Sequence, residues 1–283
     1  MTPELWRKSG HFISVNGRWL FVQSIGQGSP VLMLHAFPTS SYDYSRLVPL
    51  LSNSYQLITF DYPGFGFSDK PREHVYSLFE YADAVEAVAA HFGVQRVFVL
   101  AHDIGDSVAL ILLTRQRLVI EQLILMNGSV VSIPFTDPVM RMTQRVLLHS
   151  TIGPLIVTLG FINLRFFAST TQKLFSYPLP LTELSDFWSL ITVNDGAPLY
   201  PLLMRYMLER WQHQYQWLDA LGKHSAPLAL IWGQVDPIAT PAVAQAIMAY
   251  RPDAAYIRLD DVGHYPHWER PEMVAEVIRN VFG

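Results

Sequence analysis

The chain has 283 residues, half of them hydrophobic and only 16% charged, which is enough apolar material for one large core. Its formal net charge is −4 and no run of Lys or Arg occurs, which argues against a nucleic-acid partner. Cysteine is absent, so a disulfide framework and a thiol nucleophile are excluded, and a reducing, cytoplasmic compartment is the expectation.

The opening residues, "MTPELWRKSGHFISV", have no apolar core of the kind a secretory signal needs. Strand-like runs follow in order: "HFISV", "RWLFVQSI", "VLMLHA", "QLITFDY", "RVFVLAH", "QLILMNG", "LALIWG" and "AAYIRLD". From the third onward they are short and continuously apolar, as strands of a parallel sheet buried on both faces are. Helical patterns lie between them. "YSLFEYADAVEAVAAHFG" ends on Gly93, a C-cap residue. "DSVALILLTRQ" follows a tight turn, and "TPAVAQAIMAY" starts on Thr240 and Pro241. "RPEMVAEVIRNVF" closes the chain.

Strand and helix alternate, which predicts an α/β fold with an eight-stranded, mainly parallel sheet. The alternation breaks over 133–225, where the patterns are helical and rich in aromatics and Met. That region is expected to be an α-helical cap (lid) inserted into a core formed by 1–132 and 226–283. Within it, "VLLHSTIGPLIVTLGFINL" carries no Asp, Glu, Lys or Arg. His149, Gly153, Pro154 and Asn163 interrupt it, so it reads as an apolar lid with a membrane-surface contact open to it, not as a transmembrane span. No repeat or low-complexity segment occurs.

The turn after "RVFVLAH" has the order strand, small residue, x, nucleophile, x, Gly, helix: Ala101, His102, Asp103, Ile104, Gly105. Such an elbow is tight, demands small neighbours and exposes its central side chain beside the next backbone N–H. A carboxylate at a helix start is also an ordinary N-cap, so the turn alone decides nothing. Two further positions do. Asp236 follows "LALIWG" and His264 follows "AAYIRLD", each in a loop beyond a strand. Asp236 has a simpler reading as a turn residue before Pro237, and His264 as a loop histidine. Nucleophile, acid and histidine at carboxyl ends of parallel strands, in that chain order, favour the catalytic reading. "HYPH" also suggests a metal pair, His264 and His267, but no third ligand is in view and no metal is expected. "VLMLHAFPTS" supplies the loop after the third strand, with Phe37 N–H as second oxyanion donor beside that of Ile104. His35, Pro38 and His102 are expected to support these loops.

On these motifs the chain resembles the epoxide hydrolase and haloalkane dehalogenase branch of the α/β hydrolases, whose elbow reads HD-x-G with an aspartate nucleophile. Within that branch, "GFGFSDKPREHVYS", "HDIGDSVA", "NDGAPLYPLLMRYM", "VDPIATP" and "GHYPHWERP" are similar to the mesoderm-specific transcript proteins. The likeness runs from "VLMLHAFP" to the C-terminus. It implies an alkyl-enzyme ester on Asp103, hydrolysed by water with His264 as base and Asp236 as its orienting acid. No cofactor is implied. Dehalogenases hold the halide with a tryptophan after the nucleophile and commonly an asparagine in the third-strand loop; here those positions are Ile104 and Phe37. Epoxide hydrolases polarise the epoxide oxygen with lid tyrosines. Tyr206 falls at the second of these, while "INLRFFAST" offers Phe166 and Phe167 near the first, so Tyr177 and Tyr200 are substitutes. Asp106 stands where the branch more often has glycine.

Chemistry follows from the nucleophile. A carboxylate attacks saturated carbon and becomes an ester, so the substrate carries a strained or good leaving group. Epoxide opening to a vicinal diol is the first expectation. Haloalkane dehalogenation, and ester or lactone hydrolysis with Asp103 as base, are the rivals. A donor in the oxyanion hole is worth about 3–4 kcal/mol. The apolar cap residues Phe135, Met140, Leu155, Phe161, Phe166, Phe167, Phe175 and Trp188 are expected to line a pocket for a small to medium hydrophobic substrate, with packing on the core as the alternative for each.

Overall fold

The structure is a computed structural model and describes residues 1–128, 130–134, 138–149 and 151–283. All eight apolar runs are strands: β1 (His11–Val15), β2 (Arg18–Ile25), β3 (Ser29–Leu34), β4 (Tyr55–Phe60), β5 (Arg96–His102), β6 (Val119–Met126), β7 (Leu228–Gly233) and β8 (Ala255–Leu259). They form one sheet in the order β1-β2-β4-β3-β5-β6-β7-β8. The pairs β1–β2 and β2–β4 are antiparallel and the other five are parallel. Asn16 and Gly17 both take positive φ between β1 and β2, the conformation a two-residue hairpin turn requires.

The composition explains the layers. The central strands are buried along nearly their whole carboxyl halves, and every residue of β7 is buried. A sheet apolar on both faces needs helices on both faces. These include α1 (Leu78–His91), α2 (Ile104–Arg115), α8 (Pro241–Tyr250) and α9 (Pro271–Phe282), with α3 to α7 defined next. Ser77 caps α1 by accepting from Phe79 N–H, and Gly93 follows its end at φ +69°. Helix α2 begins two residues earlier than its apolar pattern suggested, directly after Asp103, so the candidate nucleophile sits at a helix N-terminus. Thr240 stands at the N-cap of α8, but its side chain makes no capping bond.

Between β6 and β7 the described residues form no strand. They carry α3 (Pro138–Leu148), α4 (Ile152–Thr158), α5 (Leu164–Thr171), α6 (Leu181–Thr192) and α7 (Tyr206–Lys223). The apolar stretch after Arg145 is thus broken among α3, α4 and the start of α5. No helix of the described residues is long and apolar enough to cross a membrane.

Candidate active site

Parallel pairing brings five loops to one edge of the sheet. Leu34 pairs with Ala101, His102 with Met126, and Met126 with Ile231. The carboxyl ends of β3, β5, β6, β7 and β8 therefore lie together, and Phe37, Asp103, Asn127, Asp236 and His264 follow them in turn.

Asp103 has φ 52° and ψ −109°, a conformation costly for any residue with a Cβ. What makes room for it is Gly105: a Cβ there would lie 2.4 Å from the Leu34 carbonyl oxygen. The carboxylate is buried, and its Oδ2 accepts a 3.0 Å hydrogen bond from Phe37 N–H. One expected oxyanion donor thus already holds one oxygen of the candidate nucleophile. Ile104 opens α2 and its N–H belongs to that helix's first turn, where donors lack intrahelical partners.

The third-strand loop is held by buried polar groups. Burial lowers the pKa of His35 to about 3, against the opposing bond to Ala36. Its neutral ring donates from Nδ1 to the Ala36 carbonyl at 2.8 Å, and Nε2 accepts Tyr62 N–H at 3.1 Å. Asp43 accepts from Thr39 Oγ1 at 2.6 Å. His35 thus bonds both Ala36 and Tyr62, while Pro38 and Phe37 reach the cavity wall.

Opposite lies His264, fully buried. Its Nδ1 donates to Asp236 Oδ2 at 2.7 Å. Asp236 is tied on every side: Oδ1 accepts from Ile238 N–H at 2.8 Å and Ala239 N–H at 3.1 Å, and Oδ2 also accepts from Asn127 Nδ2 at 2.7 Å. Asn127 was not singled out in the sequence, although the "MNG" closing a buried strand at the functional edge was the available signal. It also bonds both backbone groups of Gly233, which lock the β6 end to the β7 end. His264 Nε2 is buried and meets no hydrogen-bond partner among the described residues. Burial opposes protonation of His264, but Asp236, then Asp103 and Asp43, outweigh it, and its pKa is raised. His102 donates from Nε2 to the His264 carbonyl at 2.7 Å and so props that loop.

The "HYPH" histidines separate. His267 groups with His102 and Asp43, and the ligand atoms of the three all lie within 4.8 Å of one another. These three are the one grouping, among the described residues, whose donors could converge on a cation, so His267 has two neighbouring candidate ligands, but the other member of the expected pair, His264, is not one of them. Burial and neighbouring imidazoles keep His102 well below the ordinary histidine range and lower His267 to about 3, which leaves both neutral; burial raises the Asp43 pKa.

A cavity opens over Asp103 between this edge and the helices after β6. It offers about 80 Å³ to the centres of water molecules, where one water needs about 10–15 Å³. Tyr200 and Tyr206 are both in its wall. Their rings flank Phe37, with centroids 5.1 and 5.6 Å away. Burial raises both hydroxyl pKa values, and the Asp103 charge adds to the effect on Tyr206. Both phenols are therefore neutral donors. Tyr177 is not in the wall. Of the apolar residues expected there, Met140 and Phe166 line it. Phe167, Phe175 and Trp188 instead pack in ring clusters, Phe167 on Trp188 and Phe175 on Tyr265. Leu155 and Phe161 point to solvent, and Phe135 lies outside the described residues. Helical residues on one chain segment face opposite ways, so composition alone could not sort them.

Arg210 was also missed. It stands four residues after Tyr206 on α7, on the same helix face. Its buried guanidinium lies 4.8 Å from the Tyr206 ring centroid, and Nε reaches Ser107 Oγ at 3.3 Å. Asp106, one residue before Ser107, is fully buried, and its pKa is raised by burial and Asp103 and opposed by Arg210. The unusual acid of the elbow helix thus has a cation within electrostatic reach from α7.

The chain matches the alpha/beta hydrolase family over residues 31–277. It is 38% identical over 279 residues to putative hydrolase LipZ of Mycobacterium tuberculosis, covering 96% of this chain and 94% of that protein. It is 36% identical over 290 residues to the mesoderm-specific transcript protein of Mus musculus, covering 96% and 85%. Among solved structures, epoxide hydrolase CorEH without ligand superposes with a TM-score of 0.79 at 19% identity, covering 96% of this chain and 98% of that one. Haloalkane dehalogenases are structural neighbours as well.

Proposed function

The chain belongs to the alpha/beta hydrolase family, and on that premise we propose that it opens epoxides of small to medium hydrophobic molecules through an ester on Asp103. The observation that carries the reading is the pair Tyr200 and Tyr206, neutral donors in the wall of the cavity that holds Asp103. A leaving oxygen needs such donors. At the two positions where dehalogenases hold a halide this chain has Ile104 and Phe37, whose side chains carry no N–H.

Asp103 Oδ1 attacks the less hindered epoxide carbon. The C–O bond breaks, and its electron pair stays on the oxygen, which takes a hydrogen bond and then a proton from Tyr206 or Tyr200. Water next attacks the Asp103 carboxyl carbon and gives its proton to His264 Nε2. Asp236 holds His264 in the tautomer with its proton on Nδ1 and stabilises the imidazolium. The oxyanion forms on Oδ2, which Phe37 N–H already contacts, with Ile104 N–H beside it. Collapse breaks the ester. The alkoxide leaves as the diol with the proton from His264, the second proton of the water passes from the Asp103 carboxyl to the phenolate and restores the phenol, and one oxygen of water remains in the Asp103 carboxylate. The segment 133–225, whose described residues form helices and no strand, acts as the cap that keeps bulk water from the ester.

One single turnover in ¹⁸O-labelled water tests this. The label is expected in the Asp103 peptide and the diol oxygen from the unlabelled carboxylate. His264→Gln is expected to accumulate an adduct on Asp103. Label found only in the product would mean that water attacks the substrate directly and Asp103 is a base, the ester-hydrolase type of role.

A further inference from the structure

Between Asp137 and Glu183 the chain carries four cations, Arg141, Arg145, Arg165 and Lys173, and no acid, although the protein as a whole has net charge −4. All four are exposed. The same region exposes large apolar side chains. Ile152, Leu155 and Leu159 recur at i, i+3 and i+7 on the α4 turn, and Leu159 and Phe161 are each more than 60% exposed. Met142 and Phe161 share an apolar groove between α3 and the residues after α4. The face continues onto α7, where Leu208, Trp211 and Tyr215 recur at the same spacing and Trp211 is 67% exposed. Arg141, Arg145, Leu208 and Trp211 line one shallow groove, which makes the cationic and apolar residues neighbours and not separate patches.

A water-soluble surface has no use for contiguous Leu, Ile, Phe and Trp ringed by Arg. Aromatic and aliphatic groups flanked by cations match the boundary of a bilayer with anionic headgroups, where the apolar side chains enter the acyl region and the cations meet phosphate. We propose that this face, formed by α3, α4 and the outer side of α7, docks the protein on an anionic lipid membrane. No helix of the described residues spans a bilayer, so the attachment is peripheral. Its position gives it a use. Helix α3 presents Met142 outward, while Met140, Thr143, Gln144 and Leu147 of the same helix line the cavity over Asp103. A hydrophobic molecule dissolved in the bilayer then passes beneath α3 to the cavity without crossing water. The docking does not depend on the reaction: it is read with lipid alone.

Flotation of the full chain with vesicles of phosphatidylcholine and phosphatidylglycerol tests it. Binding is expected at low salt, weaker in high salt and on pure phosphatidylcholine. Arg141→Gln with Arg145→Gln is expected to weaken partitioning about thirtyfold, at roughly fivefold per cation. Leu159→Ser with Phe161→Ser, both solvent-facing, is expected to abolish it with an unchanged melting temperature. Quenching by brominated lipid, lost in Trp211→Phe, places α7 at the bilayer. No flotation at low salt, or flotation that neither pair of substitutions alters, overturns the proposal. So does a dimer in lipid-free solution that Leu159→Ser with Phe161→Ser disperses, since a second copy would then cover the face.

Discussion

Asp236→Asn replaces one oxygen of a fully tied side chain by NH₂ and should separate the two chemical steps. In the native protein four donors converge on this carboxylate: His264 Nδ1, Asn127 Nδ2 and the N–H groups of Ile238 and Ala239. An amide has one acceptor end. If its NH₂ faces His264, that ring can bond it only through a deprotonated Nδ1, which puts the proton on Nε2 and removes the base. If instead its NH₂ faces Ile238 and Ala239, donor meets donor there, at a cost of about 1–3 kcal/mol for a buried unsatisfied group. The first arrangement is the cheaper: the imidazole keeps its bond by changing tautomer and only the Asn127 Nδ2 bond is lost, against two backbone donors left unpaired in the second. In the serine-protease triad the corresponding change lowers turnover by about 10⁴. We expect hydrolysis of the Asp103 ester to slow by about 10³–10⁴, or about 4–5.5 kcal/mol, and its formation by less than about tenfold. Rapid-quench single turnover, with adduct counted by mass on the Asp103 peptide, measures both steps. Equal slowing of the two, or hydrolysis at the wild-type rate, would refute the assignment of Asp236 to the second step alone.

The remaining expectations concern pH, packing and the tyrosine wall. The His264 pKa is raised in the free enzyme by Asp236 and then Asp103, and the ester removes the Asp103 charge but not that of Asp236, so ester hydrolysis should rise with pH as His264 loses its proton, with a midpoint below that of the free enzyme; a flat profile across the histidine range contradicts His264 as the base. By the same sign, the stabilisation of the fold by protonated His264 is full below 6.5 and fades as pH rises through the raised value, which denaturant titration across pH can follow. Gly105→Ala puts a Cβ 2.4 Å from a backbone oxygen that cannot swing away, and should cost about 1–3 kcal/mol in urea unfolding; a neutral result would mean the elbow is looser than its geometry. Tyr206→Phe and Tyr200→Phe should each slow ester formation from an epoxide at least about tenfold and leave its hydrolysis unchanged, with both steps read in single-turnover kinetics. Arg210→Met should slow ester formation to the extent that Tyr206→Phe does and add nothing in the double variant if the guanidinium acts through the Tyr206 ring; additive losses point to a separate role.

Local chemistry determined much of this protein. The apolar runs specified all eight strands, since a sheet covered on both faces admits few polar residues. The pattern of Ala101 to Gly105 located the elbow, because so strained a turn tolerates only small neighbours. Strand ends then sufficed to nominate Asp236 and His264. What local chemistry left open is what depends on which side chains meet across the sheet and between helices. Asn127 became the partner of Asp236 only through β6–β7 pairing. His267 found His102 and Asp43 instead of His264. Tyr200, not Tyr177, reached the cavity, and Arg210 came to lie between Tyr206 and Ser107. Most of the aromatics after β6 turned into clusters or solvent because the facing of a short helix depends on its rotation about its own axis, and that is set by packing on neighbours far away in the chain.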